Sequence, residues 1–173
     1  MKLLYKTMLT LNSTVFLVVV YCIKEHIVIP ILFLNNDVFS CLVYICGNVI
    51  FSGLCLWLSQ FLSSETIQGG IAEIEMANNS YLPSYLGYFF VALSINDWAT
   101  LFWVFVIIFI FTFNSQTLYF NPMFLLFNYE FYYVSLQNGM KIFVISKKKI
   151  KDIAKIDFTN ISRINDYTFI DRK

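Results

Sequence analysis

Two carboxylates, Glu73 and Glu75, stand two residues apart in the stretch EIEMANNSYLPSYLGYFF, followed by Asn78 and Asn79. A carboxylate pair can run acid–base chemistry when both groups face one substrate. On a helix, positions two apart point to different sides, so that role is not expected here. Asn78, Asn79 and Ser80 are turn and N-cap types, and Pro83 fits the first turn of a following helix. The stretch therefore reads as an elbow where the chain leaves water. Acids without neighbouring bases add a second reading, in which Glu73, Glu75, Asn78 and Asn79 form a docking surface for a soluble partner. Lys147, Lys148, Lys149 and Lys151 make a patch of opposite sign. They either fix the side of a membrane on which this segment lies or rest over anionic headgroups. Direct nucleic-acid contact is not expected, because no aromatic platforms interleave with the lysines.

Other chemistry-bearing types are sparse. A single histidine, His26, without a cysteine pair makes a poor zinc site. Cys22, Cys41, Cys46 and Cys55 form no CxxC pair and sit in apolar runs, which predicts four buried, small apolar side chains. No Ser/His/Asp arrangement, phosphate-binding glycine loop or metal spacing occurs. The chain is read as non-enzymatic and without a cofactor. A different pattern runs through Cys41, Asn48, Ser52, Cys55 and Ser59, which fall at i, i+7, i+11, i+14 and i+18. On a helix these share one stripe about 60° wide. In lipid, small and polar residues let helices approach and hydrogen-bond, so the stripe reads as a helix-packing or oligomer face. The alternative is a water path lined by Asn48, Ser52 and Ser59. It is the less favoured, since one Asn and two Ser supply little polarity.

The elements that carry these residues follow from composition. Of 173 residues, 58% are hydrophobic and 13% charged, against roughly half and a quarter in a soluble domain. That points to a membrane protein. Apolar runs fall at about 8–23, 38–62, 82–95 and 98–113, with a polar elbow at 63–81. The second run has 25 residues and no charge, about 37 Å of helix against a hydrocarbon core of about 30 Å. Pro30 is expected to kink or end the first helix. Residues 83–113 are too long for one span and hold Asp97, so a hairpin turning at Asn96 and Asp97 is expected. Within the elbow, Ile67, Ile71 and Ile74 follow helical spacing and predict a short interfacial helix. Lys2 and Lys6 at one end and the lysine patch near the other place both termini in the cytoplasm, which requires an even number of spans.

Residues 1–113 carry three Lys/Arg against six acids, and residues 114–173 carry nine against five. The texture changes too. MFLLFNYEFYYVSL, then QNG, then MKIFVIS predicts a β-hairpin turning at Asn138 and Gly139, and NISRINDYTFID suggests further strands. The expected fold is an α-helical membrane protein with four transmembrane helices in residues 1–113, followed by a small β-rich cytoplasmic domain in residues 114–173. A domain that small needs support from the membrane part or from copies of itself.

With the apolar runs before it and the β-rich tail after it, IAEIEMANNSYLPSYLGYFFVALSI (71–95) resembles the membrane subunit of the Kiwa anti-phage defence system of bacteria. The resemblance covers most of the chain. It implies a four-span protein of the bacterial inner membrane that forms homo-oligomers, works with a soluble DNA-binding effector subunit, and senses phage infection at the envelope. It transfers no functional residues. The function that follows is a membrane sensor and scaffold; the alternative is a small ion channel or membrane-permeabilising effector.

Overall fold

Long apolar runs without internal proline build the first two helices. The structure, a computed structural model, describes residues 2–30, 36–67, 70–78, 80, 82–115, 121–150 and 161–171. Helix α1 covers Lys2–Lys24 and α2 covers Asp37–Leu58, continued by a 3-10 turn at Ser59–Phe61. Pro30 does not end α1. His26 does, in a left-handed conformation (φ 48°), with the Ile27 N–H donating back to the Cys22 carbonyl at 3.0 Å. This is the two-residue closure by which many helices satisfy their last carbonyls. Asn36 caps α2, its Oδ1 accepting from the Val38 N–H at 3.2 Å.

The break expected at Asn96 and Asp97 is present. It separates α3 (Leu82–Ser94) from α4 (Trp98–Asn114). Asp97 caps α4, accepting from the Thr100 N–H at 2.8 Å and from its hydroxyl at 2.7 Å. These hydrogen bonds favour the ionised carboxylate and hold its pKa below the usual value. Helix α1 is the hub, packed against α2, α3 and α4. Contacts along it fix directions. Tyr85 of α3 reaches the Ser13 carbonyl, while the carbonyl of Ile95, just past α3, takes a hydrogen bond from Lys24. Trp98 of α4 packs edge-on to Tyr21 at 5.1 Å, and the Lys6 ammonium sits 4.4 Å over the Phe113 ring. So α3 runs parallel to α1 and α4 runs back.

Four spans are not what the helix lengths give. Among the described residues two helices, α1 and α2 with its 3-10 extension, are long and apolar enough to cross a membrane. With 13 and 17 residues, α3 and α4 fall short of the roughly 20 that a span needs.

The elbow also differs from the expected helix. It contributes two strands, β1 (Ser64–Glu65) and β2 (Ile71–Met76). After the short helix α5 (Met123–Leu126) come β3 (Glu130–Leu136), β4 (Lys141–Ser146), β5 (Ile161–Arg163) and β6 (Thr168–Asp171). The six form one sheet in the order β1-β5-β6-β4-β3-β2, antiparallel throughout except for the β4–β6 pair. The sheet therefore draws strands from both sides of residue 113. The β3–β4 hairpin turns at Asn138 and Gly139 as expected, with Gly139 at φ 84° and its N–H donating to the Leu136 carbonyl at 2.9 Å. A glycine is favoured at such a φ because it has no Cβ.

Helices and sheet share one core. Tyr5 and Leu9 of α1, Cys55 and Leu56 of α2, Leu62 and Phe124 pack with Phe131, Phe143, Ile145 and Ile170 of the sheet. Phe143 stacks on Phe131 at 5.8 Å, and Phe124 on Phe131 at 6.5 Å. On the other sheet face Tyr132, Val134, Leu136, Ile142, Val144 and Phe169 make a second cluster. Strand β4 is buried on both faces, and the expected need of the β-rich part for support is met by α1 and α2.

Candidate functional site

The stripe on α2 lies inside the chain. Asn48, Ser52, Cys55 and Ser59 are buried, and Cys41 is half-buried. The Ser52 hydroxyl lies 3.0 Å from Asn12 Oδ1 and 2.9 Å from the Asn48 carbonyl, sharing its proton between them. Asn121 Nδ2 donates to Ser52 Oγ at 3.3 Å and to the Asn12 carbonyl at 3.2 Å. The Cys55 thiol points at the Met8 carbonyl at 3.8 Å. Close approach and interhelical hydrogen bonds are what the spacing predicts, and their partner is α1 of the same chain. Of the three residues of the alternative water path, Ser52 bonds to α1, Ser59 Oγ donates to the Leu56 carbonyl of its own helix at 2.6 Å, and all three are buried. Asn12 and Asn121 complete this polar knot and were not singled out from sequence. The signal for Asn12 is its place among Thr10, Ser13 and Thr14 in an otherwise apolar run, all four of them buried. Within the knot Asn12 Nδ2 and Asn48 Oδ1 have no hydrogen-bond partner. Of the cysteines, Cys22 and Cys55 are buried as expected, whereas Cys46 is exposed and Cys41 half-buried; all four are free thiols.

Glu73 and Glu75 stand on a strand, not a helix, and so point to the same side of it. Both are exposed. They pair across the ladder with Ser135 and Tyr133, on the sheet face that packs against the helices. Asn78 is the terminator of this edge: its Oδ1 accepts from the Phe131 N–H at 2.8 Å, while the neighbouring Ala77 N–H donates to the Phe131 carbonyl at 2.8 Å. Asn79 lies outside the described residues. The structure thus joins Glu73, Glu75 and Asn78 along one outer strand, with Asn78 in a structural role.

The lysine patch follows β4. Lys148 Nζ is 3.5 Å from Asp171 Oδ2, and Lys149 Nζ is 3.9 Å from Glu130 Oε1. Asp171 also accepts from Ser146 Oγ at 3.2 Å. Lys147 is exposed, and Lys151 lies outside the described residues. Two of the lysines are thus tied to sheet carboxylates. Beside them Tyr132, 1% exposed, donates to Glu130 and accepts from the Ile150 N–H at 3.1 Å. Burial, aided by the Glu130 hydrogen bond, pushes its phenol up to about 12. This anchor, absent from the sequence reading, pins the basic turn to β3.

A hub helix with apolar helices round it, joined through one core to a mixed sheet with an acidic edge and a basic turn, defines an α+β protein with a membrane-compatible helical half. The chain belongs to the family of the anti-phage protein KwaA, whose family model matches residues 5–170. It is thus placed in anti-phage defence. No curated protein and no solved structure matches.

Proposed function

We propose that this chain is a non-enzymatic sensor and scaffold of anti-phage defence, seated in the bacterial inner membrane as a homo-oligomer. Both ends lie on the cytoplasmic side, and a soluble DNA-binding effector docks on the sheet. The observation that carries this reading is the outer surface of the helices. Leu42, Ile50 and Leu54 of α2, Phe90 of α3, and Phe102, Trp103, Ile107 and Phe111 of α4 are all exposed. Large apolar side chains exposed in this number on three helices fit a covering of lipid or protein rather than water. Trp57 and Trp98, also exposed, stand near helix ends, where indole rings sit at headgroup level.

The short helices supply the sensing step. At 13 and 17 residues, α3 and α4 measure about 20 and 25 Å, against a hydrocarbon core of about 30 Å. Around them the bilayer thins, at a cost of fractions of a kcal/mol per Å of mismatch. A change in membrane thickness then shifts α3 and α4 against α1. With the α2 stripe used inside the chain, assembly falls to the outer faces of α2, α3 and α4. Reconstitution into thin and thick bilayers, with distances read between labels on α1 and α4, tests the sensor. The distances are expected to change with thickness, and identical distances in both overturn it.

A further inference from the structure

Strand β2 forms one margin of the sheet, and among the described residues no strand pairs with its outer side. In an antiparallel ladder, main-chain groups of alternate residues face the neighbour and the rest face away. Ala77 faces β3, so Glu75 and Glu73 do too, and the N–H and C=O of Ile74 and Met76 point outward. An open strand margin is a template for another chain, which natural sheets blunt with lysines or proline. Strand β2, Ile-Ala-Glu-Ile-Glu-Met, has neither; Ala72, Glu73, Glu75 and Met76 are exposed along it. Its two carboxylates are also set apart from the rest. Glu25, Glu65, Glu130, Asp166 and Asp171 have a Lys or Arg within 4.0 Å, Asp37 lies 3.2 Å from His26 Nδ1, and Asp97 caps a helix. Among the described carboxylates Glu73 and Glu75 alone have neither ion pair nor hydrogen bond.

We propose that the outer side of β2 takes up a basic, extended segment of a partner protein as an added strand. Main-chain bonds to Ile74 and Met76 would give affinity, and Glu73 and Glu75, both on one sheet face, would select alternating Lys or Arg. A second copy of this chain is a poor occupant. Antiparallel β2–β2 pairing sets the carboxylates of both copies side by side, and like charges across strands destabilise a sheet. The inference rests on the reading that a soluble partner docks here and names that partner's chemistry.

The test uses the full chain in nanodiscs, with a fluorescent peptide of alternating Lys and Val and its Glu/Val counterpart. The Lys/Val peptide is expected to bind saturably, more weakly as salt is raised, and the Glu/Val peptide not at all. Glu73→Lys with Glu75→Lys should weaken binding about tenfold or more. Hydrogen exchange should slow at the Ile74 and Met76 amides when the Lys/Val peptide is added. Absence of binding, equal binding of both peptides, or binding without protection at those two amides overturns the proposal. A soluble subunit that co-purifies equally with the wild type and the double variant sinks the strand site and leaves the docking reading standing. Peptide binding at β2 with no soluble subunit on the wild type sinks the docking reading and leaves the strand site.

Discussion

Removing the Ser52 hydroxyl takes a hydrogen-bond partner from Asn12, from the Asn48 carbonyl and from Asn121 at once. Buried polar groups left unsatisfied cost about 1–3 kcal/mol, so Ser52→Ala should lower stability by that order. Unfolding in mild detergent measures it. Particle size on native gels should stay unchanged, because the stripe packs on α1 of the same chain. Tyr132 gives a pH prediction. Its folded-state pKa, about 12, lies above the ordinary 10.0, so its contribution is complete below about pH 10. It is lost as pH rises toward 12. Tyr132→Phe should remove this alkaline step from a stability–pH curve. Of these residues, Ser52 was legible from spacing alone. Tyr132 was not, because its role depends on Glu130 and the Ile150 N–H meeting it after β3 and β4 have paired.

At the scale of elements, α2 is fitted closely on one side and open on another. A Cβ on Gly53 would meet Phe127 Cζ at 3.1 Å, while one on Gly47 meets nothing within 4 Å. Gly53→Val should therefore wedge α2 away from the turn after α5 and cost about 1–3 kcal/mol, as overpacking does. Gly47→Val should cost little, and melting both variants side by side checks the contrast. The helices and the β3–β4 hairpin were legible because hydropathy runs and an Asn-Gly turn are local signals. Strand β2 was not, for a specific reason. The ladder shifts register between Ile71 and Glu73, and one extra residue in a strand moves i and i+3 onto the same face. Ile71 and Ile74 thus both reach the second core cluster with a spacing that imitates a helix. The β1–β5 and β4–β6 pairings join distant segments and leave no local trace.

At the scale of the molecule, the core common to helices and sheet predicts one cooperative unit. A chain cut after residue 113 would expose Tyr5, Leu9, Leu56 and Leu62, which the intact protein buries, and would strand β1 and β2 without partners. Residues 114–173 alone would lack two strands of six. Neither piece should fold, and limited proteolysis of both, beside a single calorimetric transition for the whole, tests this; two separate transitions would refute it. The expected boundary at 113 came from a change in residue texture, which marks where apolar helices stop but not where a packed unit does. One further feature ties the halves. Lys2 sits 3.3 Å from Glu65 on β1, and Glu65 is held at 3.3 Å by Arg163 on β5. The helix that touches every other long helix thus ends with its tip clasped by the sheet. A shift of α1 along its axis would have to part Lys2 from Glu65 or carry β1 with it, so the tip of that helix and the β1 margin of the sheet are mechanically joined.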